Sequence, residues 1–189
     1  MAHSFILVVL RTVNIESINI FNMSTTKKIL YSLAAGLAAV LVTLYSIGGQ
    51  PAEYRAFLAT QQQAEKIFPY LIEPGKVKQW IGGLVESKPL TDGPPRAGSK
   101  SQEIVEDQGQ RMVFDSEIIE LLPNRFLSVR LSNEYMDAVS QFRFKPDGLE
   151  HIQQVKCKGW MRMLSLFMRA PVEAKLAEDF ARLKNLIEK

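Results

Sequence analysis

A chain of 189 residues has room for one domain and an extension. Its 47% hydrophobic and 23% charged residues are ordinary for a globular protein, and a net charge of +3 is too weak a field to suggest a nucleic-acid partner. The one cysteine, Cys157, excludes an intramolecular disulfide framework and a cysteine-based zinc site, and fits either redox compartment.

Residues 1–22 hold a short apolar run, Phe5–Leu10, that cannot span a bilayer. Met23 followed by Ser-Thr-Thr-Lys-Lys looks like a start, so residues 1–22 are expected to be a doubtful leader, untranslated or disordered. Residues 29–47 carry no charge. As a helix they cover about 28 Å, close to the hydrocarbon thickness of a membrane. Tyr31 and Tyr45 stand near the ends, where amphipathic rings favour the interface. Three readings compete: an uncleaved signal anchor, a cleavable signal peptide, and a buried soluble helix. The apolar core is long for a signal peptide and the small-residue site Ser46-Ile47-Gly48 is poor, while apolar residues on all faces suit lipid better than one packed side. Residues 23–50 are therefore assigned to a single-pass membrane anchor. Lys27 and Lys28 favour a cytoplasmic N-terminus, which would put residues 52–189 on the extracytoplasmic (periplasmic) side.

Ala52–Ala59 reads as a short strand. Thr60 with Gln63 three residues on has a capping-box pattern. Ala64, Ile67, Phe68, Leu71 and Ile72 follow at helical spacing, interrupted by Pro69 and again by Pro74-Gly75. A second short helix covers Val77–Ile81 and stops at Gly82-Gly83. Six strands are expected next, at about Leu84–Leu90, Ser99–Asp107, Arg111–Leu122, Arg125–Ser132, Met136–Lys145 and Glu150–Gly159. Turn signals such as Pro123-Asn124 and Pro146-Asp147-Gly148 separate them, which predicts an antiparallel meander. From Trp160 to Ile187 an apolar stripe recurs every three or four residues and predicts one long helix, bent or restarted at Pro171.

The order strand, short helices, six strands, long helix resembles the START-like superfamily, also called SRPBCC, which includes polyketide cyclases and lipid-transfer domains. Ala64–Leu71 with Pro74-Gly75-Lys76-Val77 and Trp80 is similar to the family's opening helices. Leu122-Pro123-Asn124-Arg125 and Phe142–Gly148 resemble its central turns, and Phe180–Glu188 its C-terminal helix. The resemblance implies an α+β helix-grip fold. About seven antiparallel strands would wrap as a curved sheet on the last helix, with a cavity for an apolar molecule or lipid between them.

Strand alternation supplies candidates for the cavity lining. Asp115 and Glu117 should face water, which turns Met112, Phe114 and Ser116 inward. Leu127 and Val129, then Ser140 and Phe142, follow on the next two strands. Lys156 and Lys158 outside leave Gln153, Val155 and Cys157 inside. Leu164, Phe167 and Met168 of the final helix are available to cover the sheet. An apolar residue in such a place is more often plain core than pocket wall. No catalytic residue, cofactor or metal ligand is assigned. His151, near a turn, is expected to be exposed, and no histidine pairs evidently with Cys157. A hydrophobic carrier is favoured over the alternative, a polyketide cyclase-like enzyme acting on a small aromatic substrate.

Overall fold

A computed structural model describes residues 24–107 and 109–189. The expectation for residues 1–22 lies outside the described residues. The chain divides into two compact units, the second of which is Thr43–Lys189.

Helix α1 covers Thr25–Ile47 and is long and apolar enough to cross a membrane. At 1.5 Å per residue it spans about 35 Å. None of its residues is buried.

The second unit begins its fold with β1 (Ala52–Ala59) and three helical turns, α2 (Ala64–Ile67), α3 (Pro69–Ile72) and α4 (Pro74–Trp80). Pro69 and Pro74 each open a helix, where a missing N–H costs nothing. The capping box is absent. Gln63 caps α2 without a side-chain bond, and Thr60 Oγ1 instead accepts from the Gln62 N–H at 3.2 Å. A hydroxyl two residues from an amide makes a local turn in place of the reciprocal cap.

Six strands follow: β2 (Leu84–Pro89), β3 (Lys100–Asp107), β4 (Gln110–Leu122), β5 (Phe126–Ser132), β6 (Met136–Lys145) and β7 (Gly148–Cys157). Together with β1 they form one seven-stranded antiparallel sheet in the order β1-β7-β6-β5-β4-β3-β2. This is a meander whose last strand pairs back to the first. The register shifts between Ile118 and Glu120 on β4, a bulge that bends the strand. Gly148 is required by close approach. A Cβ there would stand 2.0 Å from the Leu58 carbonyl oxygen.

The chain closes with α5 (Met161–Leu164), a 3₁₀ turn (Ser165–Phe167) and α6 (Arg169–Ile187). The expected long helix is interrupted by the 3₁₀ turn and restarts at Arg169, with Pro171 in the first turn of α6, as the proline led one to expect. The concave face of the sheet grips α6, giving the α+β helix-grip architecture. Phe180, Leu183 and Ile187 of α6 join Leu127, Leu149, Trp80 and Ile67 in the main core. Burial of each such aliphatic side chain contributes roughly 1.5–3 kcal/mol. A second cluster unites Tyr54, Ala138, Val155 and Cys157 with half-buried Met161 and Met168.

Candidate functional site

The concave face is not filled everywhere. A recess of about 290 Å³ lies between the sheet and the short helices α3 and α4. Its floor is Ser116 and Ile118 of β4, Leu127, Val129 and Leu131 of β5, and Ser140 and Phe142 of β6. These residues share one face because successive side chains on a strand alternate. The roof is Leu71, Ile72, Val77, Trp80 and Ile81. Thr91, Gly93, Pro95 and Ser99, from the connection between β2 and β3, form the rim. The volume falls at the lower end of the range for small-molecule pockets and suits a compact guest.

Trp80 sets the boundary between recess and core. Its indole N–H donates to the Tyr70 carbonyl at 2.8 Å, which fixes the ring. The ring meets Phe142 edge-on at 6.3 Å and Phe180 at 6.1 Å. These arrangements suit the aromatic quadrupole.

One carboxylate lines the recess. Glu103 faces Ser87 across the β2–β3 pair. Its Oε1 accepts from Ser87 Oγ at 3.0 Å and Ser101 Oγ at 2.7 Å, and its buried Oε2 has no hydrogen-bond partner among the described residues. A second, more polar hollow of about 240 Å³ adjoins through Lys100, Ser101 and Ser116 and is bordered by Asp115, Glu117 and Arg130. Among the described residues no group of three His, Cys, Asp or Glu side chains is placed to hold a metal ion.

Five of the residues singled out in the sequence meet at this recess: Ser116, Leu127, Val129, Ser140 and Phe142. Met112 and Phe114 are half-buried on β4 but stand outside the lining. Val155 and Cys157 belong to the second core cluster, with Met168 packed against it, and Gln153 is half-buried beside them. Burial pushes the Cys157 thiol pKa above its usual range. Leu164 and Phe167 do not cover the sheet. They are 43% and 71% exposed, because the 3₁₀ turn breaks the helix that would have carried them inward. No residue of α6 lines the recess. The hollow is therefore not beneath the C-terminal helix, where it was expected. The space there is occupied by Phe180, Leu183 and the second cluster, and the roof comes from α3 and α4.

His151 corrects a further expectation. It is 3% exposed, stacked on Phe142 at 4.3 Å and 6° between planes, with Phe180 at 5.7 Å. Neither ring nitrogen has a partner among the described residues. Burial lowers its pKa to about 4, so the ring is neutral at physiological pH. It stands outside the recess lining, behind Phe142.

No protein-family model matches the chain, and no curated protein matches it. Solved structures share the fold at low identity. Protein NE0264 from Nitrosomonas europaea is 13% identical with a TM-score of 0.54, covering 73% of this chain and 94% of its own. A protein of unknown function, SA2116 from Staphylococcus aureus, is 10% identical with a TM-score of 0.56, covering 74% and 94%. DynU16, a protein of the dynemicin biosynthetic locus, is 18% identical with a TM-score of 0.53, covering 72% of this chain but 47% of its own. All three share the antiparallel-sheet fold.

Proposed function

We propose that this protein is a membrane-anchored START-like domain that binds or transfers a hydrophobic small molecule or lipid. The observation that carries the reading is the recess itself, walled by Leu127, Val129, Trp80 and Phe142 and opening at the β2–β3 connection. An apolar guest there gains by leaving water and meets few groups that need hydrogen bonds. In this reading residues 23–50 anchor the domain, residues 52–189 form it, and Lys27 and Lys28 hold the N-terminus in the cytoplasm. A tether of this kind keeps a carrier at the surface where its cargo is dissolved.

The test is organic extraction and mass spectrometry of the purified full chain, beside a Val129→Trp variant that fills the recess. Wild type yields an apolar compound that the variant lacks, while both unfold at similar temperatures. Equal yields from the two proteins would remove the recess as the binding place.

Glu103 favours a second reading, a polyketide cyclase-like enzyme for a small aromatic substrate. An unpartnered carboxylate oxygen beside an apolar slot is what proton transfer from such a substrate needs. In that case Glu103→Gln abolishes turnover and leaves ligand uptake unchanged. A variant that loses neither excludes the enzyme.

A further inference from the structure

We infer that Trp160–Phe167 is a second membrane contact, an interfacial segment lying in the headgroup layer into which the C-terminal end of α1 emerges. The inference rests on the reading of α1 as an anchor.

Four large apolar side chains cluster here on the surface. Trp160 is 61% exposed, Leu164 and Leu166 are each 43% exposed, and Phe167 is 71% exposed. They occupy a four-residue helix, the turn that caps it and a 3₁₀ turn. Such a patch on a folded domain marks a surface that something covers.

What covers it is indicated by the neighbour. Gly48, the residue after α1, lies directly on this segment. A Cβ at Gly48 would stand 1.7 Å from the Arg162 carbonyl oxygen, so only glycine fits. Ser165 Oγ donates to the Gly48 carbonyl at 3.1 Å. The Arg162 guanidinium sits 5.0 Å from the centre of the Tyr45 ring, in the last turns of α1. Residues touching the end of a membrane-crossing helix share its depth. The headgroup layer on each side of the hydrocarbon is about 5–8 Å thick, enough to hold a one-turn helix.

The composition matches that depth. From Val155 to Val172 there is no Asp or Glu, while Lys156, Lys158, Arg162 and Arg169 are present. Lys158 also pairs with Asp137, and Arg169 with Glu173. Trp160 meets Tyr135 edge-on at 6.5 Å. Tyr45, in the last turns of the anchor, adds an amphipathic ring of the kind an interfacial belt uses. Basic and aromatic-apolar side chains together suit a lipid surface, and anionic headgroups above all.

The test uses the full chain reconstituted in phosphatidylcholine–phosphatidylglycerol vesicles, with and without bromine on the acyl chains. The chain has two tryptophans, and Trp80 is buried at 4% exposure, so Trp160 is the reporter. Bromination should quench emission in the wild type. Trp160→Phe should lose the bromine-sensitive part, and Leu164→Glu with Phe167→Glu should reduce it while Trp80 emission stays native. Alkaline carbonate reads the anchor separately. A carbonate-resistant chain whose Trp160 emission ignores bromine overturns the inference and leaves the anchor standing. Blue-shifted but unquenched Trp160 emission means a second copy or another protein covers the patch, and overturns it equally. Extraction by carbonate removes the anchor reading, and this inference falls with it.

Discussion

His151 is neutral because its surroundings offer no compensation for charge. Phe142 and Phe180 face it, and Ala56 is its cross-strand neighbour on β1. Its pKa falls from 6.5 to about 4 on folding. Unfolded chains therefore bind a proton that the folded chain refuses, and stability is lost as pH drops from about 6.5 toward 4. The loss levels off below that, at roughly 3 kcal/mol in total. Asp137 acts lower still. A bond from Lys158, with another from Ser132, holds its carboxyl below the usual range. Urea unfolding at pH 7 and pH 4.5 should show the His151 effect. His151→Phe should flatten the difference and cost little at pH 7, since it removes two unpartnered buried nitrogens. An unchanged pH slope in that variant would reassign the effect. The buried position was legible in the pattern: Lys156 outside puts residues 151, 153, 155 and 157 on the same inner face. Proximity to a turn suggested the opposite and was the weaker argument. Glu103 could not be found this way. It becomes a recess residue only through pairing with Ser87 on β2 and the hydroxyl of Ser101, and β3 shows no clean alternation.

At the scale of elements, α6 is fastened to the end of α4 by one buried carboxylate. Asp179 is 5% exposed and accepts the Gly82 N–H at 2.9 Å. It also pairs with Arg182, and with Lys175 at 3.5 Å. The two cations reach back in turn: Arg182 Nε donates to the Trp80 carbonyl at 3.0 Å and Lys175 Nζ to the Gly82 carbonyl at 2.6 Å. Asp179→Ala leaves a half-buried amide and a half-buried guanidinium without their acceptor, and should cost roughly 2–4 kcal/mol in urea unfolding. Asp179→Asn keeps an acceptor for Gly82 and should recover part of it. A loss under half a kilocalorie per mole for Asp179→Ala would mean the bolt holds nothing. Because α4 carries Trp80, the same variant should loosen the recess roof and shift Trp80 emission to the red. The elements themselves were readable, since turn residues separate the strands and prolines split the opening helices. What sequence did not carry was the 3₁₀ turn at Ser165–Phe167, ahead of the restart expected near Pro171. The apolar stripe runs on through it, and only the exposure of Leu164 and Phe167 reveals that the stripe serves two surfaces.

For the whole molecule, alternation identified the floor of the recess because parity along a strand is local information. It could not identify the roof. That α3 and α4 cover β4–β6, while α6 lies over the core beside them, depends on packing between distant segments. The recess therefore lies under the short helices, not the C-terminal helix, on the floor that alternation marks. The most direct check is photocrosslinking in the intact chain with an aliphatic diazirine probe, followed by peptide mapping. Label should concentrate at residues 71–81 and 127–131, and Val129→Trp should abolish it there. Label confined to α1 and residues 160–167, with none at the recess, would show a protein that touches lipid without carrying any.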